Sequence, residues 1–265
     1  MKLRISSIGC LVTGASSGIG RAVAVELGRH GCRVALVARR QGELEATARA
    51  VEAAGGRAAA FVADVRDDAA LAAAVEGGAA WAGGLRLAVV NAGVGVHGAL
   101  ETLPRPALRE AVEVNLLGML ATAQAVLPHL RAAVPSALTV VASLSAVIPY
   151  RGGAGYAAGK AGLIAALRCL RLELAGSGVT VGWLCPGQVD TRIIVDRIPF
   201  AKLPRLSRAL VPVLSPECVA RAVVRLAPRG GERTIPWQAV PFAVLARWLP
   251  GLAERAELWT GAGEP

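Results

Sequence analysis

A short apolar run over residues 8–12 breaks directly into Thr13-Gly14-Ala15-Ser16-Ser17-Gly18-Ile19-Gly20, and an Ala/Val/Leu-rich segment follows from Ile19 to Arg29. Few structures accommodate glycines at this density between an extended run and a helical one. The pattern reads as a strand, a tight turn at Gly14, and a helix whose start lies close enough to the strand to require Gly20. A strand that passes through such a turn into a helix opens a βα unit, and βα units build parallel sheets.

The rest of the chain repeats the alternation. Extended runs are expected at Arg33–Val37, Phe61–Ala63, Leu85–Val90, Leu138–Ala142 and Val179–Leu184, the last stopped by Pro186-Gly187. Helical segments are expected at Glu43–Ala54, Asp67–Ala80, Leu108–Leu130 and Ala157–Leu174. Leu85–Val90 is apolar almost throughout and bounded by Gly84 and Asn91, as a strand buried on both faces should be. The expected fold class is α/β: a doubly wound parallel sheet of six strands with helices on both faces. No internal repeat and no linker divides the chain, so residues 1–265 read as a single domain with a C-terminal elaboration.

Composition narrows the function classes. Hydrophobic residues make up 54% of the 265 and charged ones 18%, with mean hydropathy +0.50, which excludes a disordered chain. The strongly apolar charge-free stretches run to about a dozen residues, short of the ~18–20 a spanning helix needs. The N-terminal MKLRISSIGC has no apolar core or cleavage site of a signal peptide. Cys10, Cys32, Cys169, Cys185 and Cys218 are odd in number and scattered. They read as buried free thiols of a reducing compartment, and with them a cytoplasmic location is expected. His30, His97 and His129 have no ligand spacing, so no metal site is expected, though His97 could line a pocket.

The net charge of +10 comes from 29 basic residues, nearly all Arg, against 19 acidic ones. Between Arg192 and Arg233, nine basic residues face only Asp196, Glu217 and Glu232. Such a run is a solvated surface, or one that attracts an anionic carrier, phospholipid headgroups or an acidic substrate. Nucleic acid is not expected, since no aromatic residues interleave with the charge.

A helix start behind a glycine turn offers unpaired N–H groups and positive dipole to phosphate oxygens, with Gly18 letting backbone approach a pyrophosphate. The spacing here is G-x-x-x-G-x-G, and the eight-residue string resembles that of the short-chain dehydrogenase/reductase family. The resemblance runs from about Gly9 to Pro228. It implies a Rossmann-like fold and a dinucleotide held by Gly14, Ser16, Ser17, Gly18, Ile19 and Gly20. The end of the second strand bears on which dinucleotide. Ala38 stands where an acid would bind the ribose hydroxyls of NAD, and Arg39-Arg40 follow. A guanidinium suits a 2′-phosphate, so NADP(H) is favoured with Arg39 as the contact. Surface arginines capping a strand end are the alternative. By the same resemblance Asp64 and Val65 lie beside the adenine, and Asn91-Ala92-Gly93 closes over the adenosine half.

Only two tyrosines exist, Tyr150 and Tyr156, and Tyr156 alone has a lysine at i+4, Lys160, on the same helix face. A phenol has a reference pKa of about 10. A neighbouring ammonium, together with the positive nicotinamide of the oxidised cofactor, favours the phenolate and lowers that pKa, the tuning that a general acid/base needs. Ser143 lies 13 residues before Tyr156, the family's offset for its substrate-binding serine, with Ser145 as competitor. Asn115, in Val112-Glu113-Val114-Asn115-Leu116-Leu117-Gly118, matches the fourth catalytic position, where its backbone carbonyl holds a water that continues a proton relay from the lysine. A helix asparagine satisfied locally is the alternative. Pro186-Gly187-Gln188-Val189-Asp190-Thr191 resembles the segment that binds the nicotinamide carboxamide through Val189 and Thr191.

The resemblance thus implies hydride transfer between NADP(H) and a ketone or aldehyde and its alcohol, expected here to be hydrophobic, with Asn115, Ser143, Tyr156 and Lys160 catalytic. The alternatives are reduction of a carrier-bound 3-oxoacyl thioester and a non-catalytic NADP-binding regulator. It further implies a homodimer or homotetramer through Leu108–Leu130 and Ala157–Leu174. A substrate lid is expected at about residues 192–214, made apolar by Ile193, Ile194, Val195, Ile198, Phe200 and Leu203. The chain departs from the family's usual ending, a glycine-bounded final strand. An apolar extension over about residues 235–265 takes its place, with Trp237, Phe242 and Trp248, and a peripheral membrane contact is one use for it.

Overall fold

The computed structural model describes residues 3–148, 150–191 and 212–260, with side chains to residue 255. Strands β1 (Gly9–Thr13), β2 (Arg33–Ala38), β3 (Arg57–Val62), β4 (Leu87–Val90), β5 (Ser136–Val141), β6 (Val179–Pro186) and β7 (Gly231–Ile235) form one sheet in the order β3-β2-β1-β4-β5-β6-β7. Every pairing is parallel, with registers such as Leu11↔Ala35, Leu11↔Ala88 and Val140↔Trp183. The expected doubly wound α/β fold is what the chain adopts, with a seventh strand that corrects the expected six. Against the expected departure from the family's ending, the chain has a glycine-bounded last strand, β7, paired to β6 with Leu184 opposite Arg233.

Helices α1 (Gly18–Arg29), α2 (Gln41–Ala53) and α7 (Pro216–Leu226) cover one face of the sheet. Helices α3 (Asp68–Ala82), α5 (Met119–Ala132) and α6 (Ala154–Glu173) cover the other, and α4 (Arg105–Val112) packs against α6. Because both faces are dry, β1, β4 and β5 are buried at every position, which is why they read as continuous apolar runs. Leu11 and Leu138 anchor one core, Val12 and Leu184 the other. Truncating one such leucine to alanine costs roughly 2–5 kcal/mol.

Local chemistry sets the ends. Asp67 accepts from Ala70 N at 3.0 Å and caps α3, and Ser215 accepts from Cys218 N at 3.2 Å to cap α7. Helices α4 and α5 are one continuous run over Arg105–Ala132, joined through a π-helical turn at Glu113–Gly118. By length and composition alone this run could span a membrane; Met119, Val126 and Leu130 instead pack it into the core. Two further helices, α8 (Val240–Trp248) and α9 (Pro250–Thr260), form the C-terminal elaboration. Cys10, Cys32 and Cys185 are buried as expected, whereas Cys218 is half-buried and Cys169, on an outward face of α6, is exposed.

Candidate active site

The strand order reverses between β1 and β4, and a crevice opens beyond the carboxyl ends of strands at such a point. The residues expected to act together all come from segments that follow those ends. At β1, the Thr13 hydroxyl accepts from the N–H groups of Asn91 and Ala92, at 3.0 and 3.3 Å. The Asn91 amide donates to the Thr13 carbonyl at 3.1 Å. These bonds lock the Asn91-Ala92-Gly93 turn onto the glycine turn, and Gly20 packs so tightly on the Gly14 carbonyl that no side chain fits there. Gly18 has φ +53, and a Cβ on it would stand 3.2 Å from Thr191 Cγ2. The segment after β6 therefore lies directly over the start of α1.

Ser17 precedes α1 in extended conformation and makes no side-chain cap. Its hydroxyl, like that of Ser16, accepts from Arg40 Nη2 at 3.0 Å. Arg40 also pairs with Glu43 at 2.9 Å. The sequence favoured Arg39, but that guanidinium turns toward Asp64, 3.6 Å away. Asp64 is itself gripped by Arg66, with bonds of 2.6 to 3.2 Å to both carboxylate oxygens. Hydrogen bonding from Arg66 outweighs partial burial and holds its carboxyl down at about 2. Next to it, Val65 is buried against Gly118.

Asn115 is fully buried in the π-helical turn. Its amide donates to the Val94 carbonyl at 2.8 Å and its carbonyl oxygen accepts from Val94 N at 3.0 Å, so the side chain is satisfied by the loop after β4. A Cβ on Gly93 would lie 3.0 Å from Asn115 Oδ1 and 3.6 Å from Lys160 Nζ, which places these groups around one point. Lys160 is 3% exposed and donates to the Val141 carbonyl at 3.2 Å and toward Met119 Sδ at 3.3 Å. Burial lowers it to about 8. The ammonium lies 6.0 Å from the Tyr156 ring centroid, so the two side chains share a face as their spacing implies.

The expected lowering of the Tyr156 phenol depends on Lys160 together with the positive nicotinamide, and the protein's own groups on balance act in the other direction. Burial pushes the phenol above its ordinary value, and hydrogen bonding with Ser143 opposes this. Ser143 lies two residues beyond β5, is 8% exposed, and meets the Ser145 hydroxyl at 3.1 Å, so the two candidate serines are neighbours in one site. On the far side, Val189 forms a bridge with Leu214 that uses the Asp190 N–H (2.9 Å) and the Gln188 carbonyl (2.8 Å). Val189's own N–H and carbonyl therefore point to the opposite edge. Gly187 N donates to the Ile235 carbonyl at 2.7 Å, tying this segment to β7. The expected lid lies outside the described residues except at residues 212–214.

Sequence reasoning missed the Thr13 hydroxyl, Arg40 as the serine contact, Arg66, and the contacts of His97. His30 and His129 lie elsewhere, beside Glu26 and Glu76.

A family model described as short chain dehydrogenase matches residues 9–199. An uncharacterized oxidoreductase of Myxococcus xanthus (strain DK1622) is 34% identical over 241 residues, 91% of this chain and 92% of its own length. The 3beta-hydroxysteroid dehydrogenase 1 of Eggerthella lenta is 32% identical over 222 residues, 82% of this chain and 85% of its own. Among solved structures, a short chain dehydrogenase from Burkholderia cenocepacia J2315 in complex with NADP superposes with a TM-score of 0.79 at 30% identity, covering 88% of this chain and 98% of that one.

Proposed function

The chain belongs to the short chain dehydrogenase family and is an oxidoreductase with a nicotinamide cofactor, and from that premise we propose that it interconverts a hydrophobic ketone or aldehyde and its alcohol using NADP(H). The observation that carries this reading is the convergence of Ser143, Tyr156, Lys160 and Asn115 on the end of β5 and the turn at Gly93.

The residues present fit the dinucleotide. Gly18 faces Thr191 across a gap that a side chain would close, and the start of α1 lacks a side-chain cap. Gly14, Ser16, Ser17, Gly18, Ile19 and Gly20 would hold the pyrophosphate. Asp64, Val65, Asn91, Ala92 and Gly93 would flank the adenosine, and Pro186, Gly187, Val189 and Thr191 the nicotinamide. Ala38 in place of an acid and the guanidiniums of Arg39 and Arg40 favour a 2′-phosphate, and the Arg40 bonds to Ser16 and Ser17 make Arg40 the stronger contact. When bound, the cofactor supplies or accepts the hydride.

The protein's own groups do the rest. Ser143 and Tyr156 donate hydrogen bonds to the substrate oxygen. A Tyr156 held neutral by burial keeps its proton until negative charge develops on that oxygen, then gives it up. Lys160 bears on the phenol electrostatically from over its ring and orients the nicotinamide ribose. The apolar residues between Ile193 and Leu203 and the steroid named for the Eggerthella relative both support a greasy substrate. A panel of hydrophobic ketones followed by NADPH absorbance tests the reading; no turnover across ketones, aldehydes and the reverse alcohols would overturn it.

The same reading assigns two outer surfaces. Leu117 and Leu172, 56% and 78% exposed, suit a homo-oligomer through the helices that carry them. Trp237, Val244 and Trp248 stand outward on the C-terminal elaboration with Arg247 beside them, which suits reversible contact with an anionic membrane surface.

A further inference from the structure

Two loops meet over the first turn of α6. The Gly98 N–H donates to the Gly152 carbonyl at 2.9 Å and joins the loop after β4 to the loop after β5. Val96 is buried against Gly155, its Cγ1 3.7 Å from where a side chain on that glycine would begin. This seats the next residue of the loop, His97, against the next residue of the helix, Tyr156. Their rings are stacked, with centroids 5.5 Å apart and planes inclined by 27°.

The imidazole is fixed from its other side. His97 Nδ1 lies 2.6 Å from the Tyr150 hydroxyl, and the two rings are 5.5 Å apart at 42°. The Tyr150 ring rests on Gly153, where any side chain would collide with it. Burial raises the Tyr150 phenol above its ordinary value, and the short bond between its hydroxyl and Nδ1 holds the imidazole in place.

We propose that His97 is a positioning residue: clamped by Tyr150, it fixes the ring plane of Tyr156 and so aims the phenol hydroxyl at the substrate oxygen. This rests on the reading of Tyr156 as the proton donor. The χ2 torsion of a tyrosine is broad, so the ring needs a neighbour to hold it. Proton transfer is sensitive to such placement, where a displacement of about 1 Å can cost on the order of a hundredfold.

The test compares His97→Ala, His97→Phe and His97→Asn. With only two tyrosines, protein carrying 13C-labelled tyrosine gives two sets of ring signals, assigned by Tyr150→Phe and Tyr156→Phe. In His97→Ala the Tyr156 ring protons should move downfield as the stacked ring current is lost, and His97→Phe should restore them. With 1-decalone and NADPH, His97→Ala should lower kcat by about tenfold or more with the KM for NADPH held within about twofold. His97→Phe should recover most of that loss and His97→Asn should not. Tyr156 signals unmoved in His97→Ala would overturn the inference, as would recovery of kcat by Asn but not by Phe. Retention of activity by Tyr156→Phe would instead sink the reading on which it rests.

Discussion

The Lys160 ammonium lies over the face of the Tyr156 ring, 6.0 Å from its centroid, and gives a hydrogen bond to the Val141 carbonyl at 3.2 Å. The i, i+4 spacing brings the two groups onto one face, but the bonds of the amine go to β5 and Met119. In this arrangement burial sets both titrations, raising the phenol and lowering the amine.

Removing the phenol proton isolates its role. Tyr156→Phe keeps the ring, the stack on His97 and the cover over Lys160. Turnover should fall by roughly 10²–10⁴ while the Kd for NADPH, read by fluorescence, stays within about twofold.

Lys160 makes stability depend on pH in a defined window. Its native pKa is about 8, against about 10.4 in an unfolded chain. Between those values the unfolded state binds a proton that the native state lacks, so stability rises with pH; below about 8 the full cost of the buried ammonium is present. Lys160→Met removes this dependence. The stability of the parent relative to that variant should therefore rise by a few kcal/mol between pH 7 and pH 10.5. Urea unfolding of both proteins at several pH values measures it, and a flat difference would place the amine in a wetter site than this one.

Arg40 and Arg39 separate the two candidate phosphate contacts. Arg40 already holds Ser16 and Ser17 at 3.0 Å, while Arg39 faces Asp64. Loss of a charge-assisted bond costs about 1.5–3 kcal/mol. Arg40→Ala should therefore cut kcat/KM for NADPH by about 10- to 100-fold with NADH little changed. Arg39→Asp should have the smaller effect on NADPH. The reverse order in steady-state kinetics would return the contact to Arg39.

How much of this was legible in the sequence depended on whether the signal was local. β1, β4 and β5 are buried on both faces, so their apolar runs could be read directly. β7, Gly231-Glu232-Arg233-Thr234-Ile235, is a partly exposed edge strand with two charges, and only its pairing with β6 identifies it. Helical periodicity found the run through Asn115 but does not distinguish the i→i+5 bonding of a π turn from the i→i+4 bonding around it. Two adjacent arginines after β2 differ in direction only because the chain turns there into α2, so their order could not be decided from spacing. A single histidine in a Gly/Val-rich loop has no periodicity at all, and His97 needed two loops brought together to acquire a role.

The seventh strand should matter to the cofactor site as well as to stability. Gly230 has φ +65, and a Cβ there would lie 2.7 Å from the Val181 carbonyl oxygen. Gly230→Ala combines left-handed strain of about 1–2 kcal/mol with that collision. A total of about 2–4 kcal/mol would lower Tm by several degrees, at roughly 2–4 °C per kcal/mol for a chain near this size. Because Ile235 accepts from Gly187 N at 2.7 Å, loosening β7 also loosens the segment that carries Val189 and Thr191 over Gly18. NADPH binding should therefore weaken in Gly230→Ala. Gly176→Ala serves as the control: its φ of +78 is strained, yet nothing lies within 4 Å of the added carbon. That variant should lose stability and keep its cofactor affinity. Equal affinities in the two variants, measured by titration well below either Tm, would show that β7 supports the sheet alone.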